Sequence, residues 1–103
     1  MRKKISAAAL PDFDIAEHLR TDADIAEYLS LVLAENDSAE FIHALGKIAR
    51  ARGMSELARS SGLTREALYK ALRPDSQPRF DTIAKVCAAL GVKLTAEAVD
   101  HLR

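Results

Sequence analysis

A chain of 103 residues with 49% hydrophobic and 29% charged side chains has the balance of one globular domain. No apolar run nears the roughly 20 residues of a membrane helix, and a single cysteine excludes an intramolecular disulfide or a thiolate zinc cluster. The formal net charge is zero, but residues 1–40 hold four basic against nine acidic residues (net −5) and residues 41–103 eleven against six (net +5), an asymmetry that favours a nucleic-acid partner for the basic end.

Residues 1–11 show no sustained period and are expected to form a mobile arm. The basic start and brief apolar run fall short of a secretion signal, because Pro11-Asp12 and further acidic residues follow at once; a cytoplasmic location is expected. Phe13 and Ile15 alternate with polar residues before the pattern turns helix-like towards Leu19, which predicts an extended piece running into a turn. Thr21 or Asp22 can cap a helix over about 22–35, with Asp24 complementing its dipole. Ile25, Tyr28, Leu29, Val32 and Leu33 keep one face of it. Asn36-Asp37-Ser38 breaks the period, and Asp37 with Glu40 three residues on resembles a capping box opening a helix over about 38–52. Phe41, Ile42, Leu45, Ile48 and Ala49 are expected inside, and Lys47, Arg50 and Arg52 outside, with Gly53 as the C-terminal cap.

The next stretch carries the most information. Leu57 and Ala58 fit the buried face of a short helix over about 54–61. Gly62 follows Ala58 by four residues, where a sharp turn asks for positive φ. Thr64 can cap a second helix over about 64–72, and Leu68 and Leu72 return at i and i+4 to pack it inward. This is the spacing of a helix-turn-helix. Two prolines make Pro74-Asp75-Ser76-Gln77-Pro78 a loop. A last helix over about 80–90 is expected to bury Ile83, Ala84, Val86, Cys87 and Leu90, with Cys87 as a small hydrophobe, before Gly91 stops it. Val92-Lys93-Leu94-Thr95-Ala96 alternates at period two and predicts a short strand, whose open edges a second copy could pair by homodimerisation. The fold class is therefore all-α, five helices with an N-terminal extension and a short C-terminal strand. Residues 1–36 form the arm and first helix, a candidate partner-binding region; residues 37–103 form the DNA-binding domain with a C-terminal dimerisation segment.

In a helix-turn-helix the second helix enters the major groove while the first crosses the backbone. Thr64, Arg65, Glu66, Tyr69 and Lys70 would then face bases. Arg65 can offer two parallel donors to guanine O6 and N7. Lys70 can reach the same edge or a phosphate, and Glu66 can accept from cytosine N4 or hold Arg65 in place. Tyr69 can meet a thymine methyl or a phosphate. Arg52 and Arg59 before the turn, and Arg73, Gln77 and Arg79 after it, are candidates for clamping phosphates. His18, His43 and His101 lack ligand spacing, and neither a phosphate-cradling glycine loop nor a nucleophile pair is visible. No metal, cofactor or enzymatic activity is expected.

Residues 54–94 resemble the Cro/C1-type (XRE) helix-turn-helix domains of phage repressors, and Pro78-Arg79-Phe80 resembles their loop after the recognition helix. That resemblance implies a lambda-repressor-like fold, Arg79 at the DNA backbone or minor groove, and Phe80 packed beneath. The Thr-Gln usual before the Leu-Ala of the first motif helix is absent, so its glutamine–phosphate contact is not carried over. A longer similarity runs through Phe13-Asp14, Glu17-His18-Leu19, Asp24-Ile25-Ala26, Tyr28-Leu29, Ala44-Leu45-Gly46, residues 48–55 and residues 62–72. This pattern is similar to addiction-module antidote proteins, the HigA-like antitoxins of type II toxin–antitoxin pairs. The similarity implies an antitoxin that neutralises a cognate small toxin, commonly a basic RelE-like ribonuclease, and represses its own operon by binding double-stranded operator DNA. The acidic N-terminal half suits a basic partner. Phe13, Ile15 and Leu19 either anchor that toxin or fold back onto the helix at 22–35. A stand-alone XRE-type repressor without a toxin partner uses the same DNA-facing residues and is the alternative.

Overall fold

The structure, a computed structural model, describes residues 17–99. Among the described residues, helical backbone at 17–18, where an extended piece was expected, is followed by five helices: α1 (Asp22–Leu33), α2 (Ser38–Arg52), α3 (Met54–Ser61), α4 (Arg65–Ala71) and α5 (Phe80–Ala89). All five stand where hydrophobic periodicity and capping residues place them.

Each start has a local cause. Thr21 is extended, its hydroxyl accepts the Asp24 N–H at 3.1 Å, and the Asp24 carboxylate accepts the Thr21 N–H at 3.3 Å. Two orphan donors are thereby satisfied by one reciprocal pair. Thr21 rather than Asp22 is the cap. Hydrogen bonds from backbone N–H groups, that of Thr21 foremost, hold the Asp24 carboxyl below its usual pKa. At the next start the Asp37 carboxylate accepts the Glu40 N–H at 3.2 Å.

α2, with 15 residues, is the longest helix. Phe41, Ala44, Leu45, Ile48 and Ala49 are buried along it, and so are Gly46 and Lys47. Ile25, Tyr28, Leu29 and Val32 of α1 belong to the same continuous core, as do Leu57 of α3, Leu68 of α4 and Val86, Cys87 and Leu90 at α5. α1 packs along α2, while α3 touches α2, α4 and α5. Lys47, expected outside, is only 7% exposed. A helix covered on more than one side takes in the methylene stem of such a residue. Leu33, expected inside, is exposed, because it lies about 90° round the helix from the stripe of Ile25, Tyr28, Leu29 and Val32. Ile42 and Ala84 are half-buried at the edges of their stripes.

The predicted strand at 92–96 is a correction. Residues 92–99 form neither helix nor strand, and no strand occurs among the described residues. The period-two pattern has another cause: Val92 and Leu94 tuck half-buried against the core while Lys93 and Thr95 face outward. The Val92 N–H is taken by the Cys87 carbonyl at 2.9 Å, so the tail is tied to the end of α5 rather than to a ladder.

Two buried groups make the core testable. The Tyr28 hydroxyl is buried without a hydrogen-bond partner among the described residues. Burial, and then the charge of Glu40, raise its pKa. Tyr28→Phe removes an unsatisfied polar atom at nearly constant shape, so stability should rise by about 1 kcal/mol, read as a higher urea midpoint at unchanged slope. A fall in midpoint would mean that the hydroxyl has a partner. Burial pushes the Cys87 thiol up from 9.0 to about 11. The unfolded thiol ionises first, so its contribution is complete below pH 9 and disappears as pH rises to about 11. Urea midpoints measured across that window should fall less steeply for Cys87→Ala than for the natural chain.

Candidate nucleic-acid interface

α3 and α4 meet at a tight turn over residues 62–64. Gly62 adopts the left-handed φ of 79° there, and its N–H bonds the Ala58 carbonyl at 3.0 Å. The Ser61 hydroxyl stitches the turn, donating to the Ala58 carbonyl at 3.2 Å and accepting the Leu63 N–H at 3.3 Å. Thr64 then caps α4, its hydroxyl accepting the Ala67 N–H at 3.0 Å. Leu57, Ala58, Leu68 and Leu72 are all buried, as their spacing requires. Burial of Leu68 supplies about 1.5–3 kcal/mol, against the few tenths of a surface pair, so inward packing holds this helix.

What α4 leaves outside is Arg65, Glu66, Tyr69 and Lys70, all exposed. Within this row Arg65 Nη2 donates to the Tyr69 hydroxyl at 2.9 Å, and its guanidinium carbon lies 5.3 Å from the Tyr69 ring centroid. Glu66 is one residue from Arg65, and side chains at i and i+1 do not face each other on a helix. The residue that holds Arg65 is therefore Tyr69, its i+4 neighbour.

Arg65 and Tyr69 line two open clefts at once. One, of about 600 Å³, is completed by Arg50, Arg59 and residues 53–56. The other, of about 500 Å³, is completed by Glu66, Lys70 and Arg73. The pair thus forms a ridge with cationic side chains on either side. Gly53 gives α3 no side-chain cap, so the first-turn N–H groups of α3 stand at the first cleft without one. Arg50 and this uncapped turn escaped the sequence reading. Arg50 was legible as an exposed cation, but its nearness to Arg65 depends on the angle between α2 and α3.

The phosphate candidates divide. Arg52 pairs with Asp22 at 3.3 Å, Arg59 with Glu56 at 3.0 Å and Arg79 with Asp81 at 3.3 Å. Arg73 and Gln77 are exposed in the segment after α4, which the Ser76 hydroxyl braces by donating to the Ala71 carbonyl at 2.6 Å. Phe80, implied to pack beneath Arg79, is instead 73% exposed. It opens α5, whose inward stripe begins only at Ile83, so its side chain has no core to enter. Leu19 is half-buried against the core, whereas Phe13 and Ile15 lie outside the described residues. Among the described residues no group of three or more His, Cys, Asp or Glu side chains could hold a metal ion, and no helix is long and apolar enough to cross a membrane.

Comparison with known proteins adds to this geometry. A family model described as "Probable addiction module antidote protein" matches residues 9–98, a span that includes all five helices. A protein of Haemophilus influenzae described as uncharacterized is 46% identical over 88 residues, covering 85% of this chain and 91% of its own length. No solved structure matches the chain.

Proposed function

The chain belongs to the family of probable addiction module antidote proteins, and from that premise we propose that it is a DNA-binding antitoxin that neutralises a cognate toxin and represses its own operon. The family match carries the antitoxin half of this reading. For the DNA half, the supporting observation is the Arg65–Tyr69 ridge set between two clefts lined by cations.

Duplex DNA offers a matching shape, a groove of base edges between two rails of phosphate. In this reading α4 lies in the major groove as the recognition helix, with Arg65 and Lys70 towards base edges. One rail meets Arg50, Arg59 and the first-turn N–H groups of α3, where the helix dipole favours an anion. The other meets Arg73. Arg59 exchanges Glu56 for a phosphate. The exchange is cheap, because an exposed ion pair contributes about 0–1 kcal/mol. Two copies of the chain would engage half-sites about 34 Å apart. The toxin, a small basic RelE-like ribonuclease in this reading, is met by the acidic N-terminal half. Complementary charge speeds and orients such an encounter.

Binding to the DNA upstream of its gene tests the first half. Arg65→Ala and Lys70→Ala should each cost about 1–3 kcal/mol and relax base preference. Log affinity should fall linearly with log salt, by about 0.9 per neutralised phosphate. A flat salt response would point away from DNA. The second half is tested by expressing the neighbouring small reading frame alone and together with this chain. Growth arrest that the chain relieves, with both proteins co-purifying, is the expected result. A harmless neighbour that never binds would make the chain a stand-alone repressor.

A further inference from the structure

From the Arg65–Tyr69 geometry we infer that Tyr69 is a positioning residue: it fixes the Arg65 guanidinium before DNA arrives and so sets a guanine preference at one base pair by acting through Arg65. This rests on the DNA-binding reading above. Two contacts hold the guanidinium, the 2.9 Å hydrogen bond from Nη2 to the phenol oxygen and the ring 5.3 Å from its central carbon. Among the described residues no other hydrogen bond or ion pair holds Arg65, which is exposed at the start of α4. An arginine on the surface samples many rotamers, and ordering it on contact weakens binding; ordering it beforehand removes that loss.

The identity of the holder matters. Among the described residues, Arg52, Arg59 and Arg79 are each held by a carboxylate, which neutralises them and competes with an incoming anion. Arg65 is held by a neutral phenol. Its full charge stays available, and the phenol can remain in place during recognition. A guanidinium has five N–H donors; Tyr69 takes one, and the O6 and N7 of guanine ask for two of the others. The position of the pair on the ridge between the two clefts places this fork between the two rails of phosphate rather than beside one of them.

The test uses the full chain and a pool of randomised duplex DNA, from which the preferred sequence is selected and single-base variants are made. Arg65→Ala identifies the base pair at which guanine preference is lost. Tyr69→Phe keeps the ring and removes the acceptor; it should lower discrimination at that same pair by about three- to tenfold, with Tyr69→Leu lowering it further. The melting midpoint should not move with Tyr69→Phe, and affinity for random duplex should fall less than affinity for the preferred sequence. In the Arg65→Ala background, Tyr69→Phe should have no effect on discrimination. The inference is overturned if Tyr69→Phe weakens all sequences equally, as loss of a phosphate contact would. It is equally overturned if its effect persists without Arg65, which would make Tyr69 a direct reader of bases. A natural chain that selects no sequence from the pool removes the DNA-reading proposal itself, whereas selection with an unaffected Tyr69→Phe removes only the role of Tyr69.

Discussion

A helix of seven residues has no independent stability in water, since the cost of nucleating it exceeds what so few hydrogen bonds return. α4 exists because Leu68 and Leu72 are buried, and because Gly46 of α2 lets its end come close. A Cβ at Gly46 would stand 3.2 Å from the Leu72 carbonyl oxygen, a tighter approach than packed side chains normally make. The direction in which Arg65, Tyr69 and Lys70 point is thus fixed by contacts on the opposite side of their helix. Core and surface are one design here. A change that loosens the seat of Leu68 would disturb the exposed row without touching it.

Charge follows a second logic. The chain is neutral in sum, yet its cations gather on the later helices and several are answered locally by carboxylates three residues, two residues or thirty residues away. Such exposed pairs are weak in water and weaker in salt. They lower the field close to each paired cation, while leaving the cations able to change partners. Arg52 differs in being tied to Asp22, so its charge also fastens α1 to the end of α2.

Most of the fold was legible because its signals are local. Thr21, Thr64 and Gly62 act within four residues of themselves, and the i, i+4 return of Leu68 and Leu72 needs no knowledge of distant segments. The misreadings concern relations between helices. Lys47 looks like a surface cation until α2 is known to be covered on more than one side. Phe80 packs beneath Arg79 by resemblance to phage repressors, whereas here α5 turns inward only from Ile83. The alternation at 92–96 reports a tail lying on the core, and a period of two does not distinguish that from a sheet. The Arg65–Tyr69 contact lay within reach of the sequence, since i and i+4 are neighbours on a helix. The first cleft was not, because it brings together the end of α2, the start of α3 and the start of α4.

Asp22 has one more neighbour besides Arg52. Gly91, just past α5, lies so close that a side chain on it would collide with the Asp22 carboxylate. The first residue of α1 and a residue two past the end of α5 therefore share one corner. Between residues 22 and 91 the chain therefore returns to the place where α1 begins. A short linker between residues 22 and 91 would cost little loop-closure entropy. A new opening elsewhere, at the exposed residues 73–75 for example, would preserve every helix while changing their order along the chain.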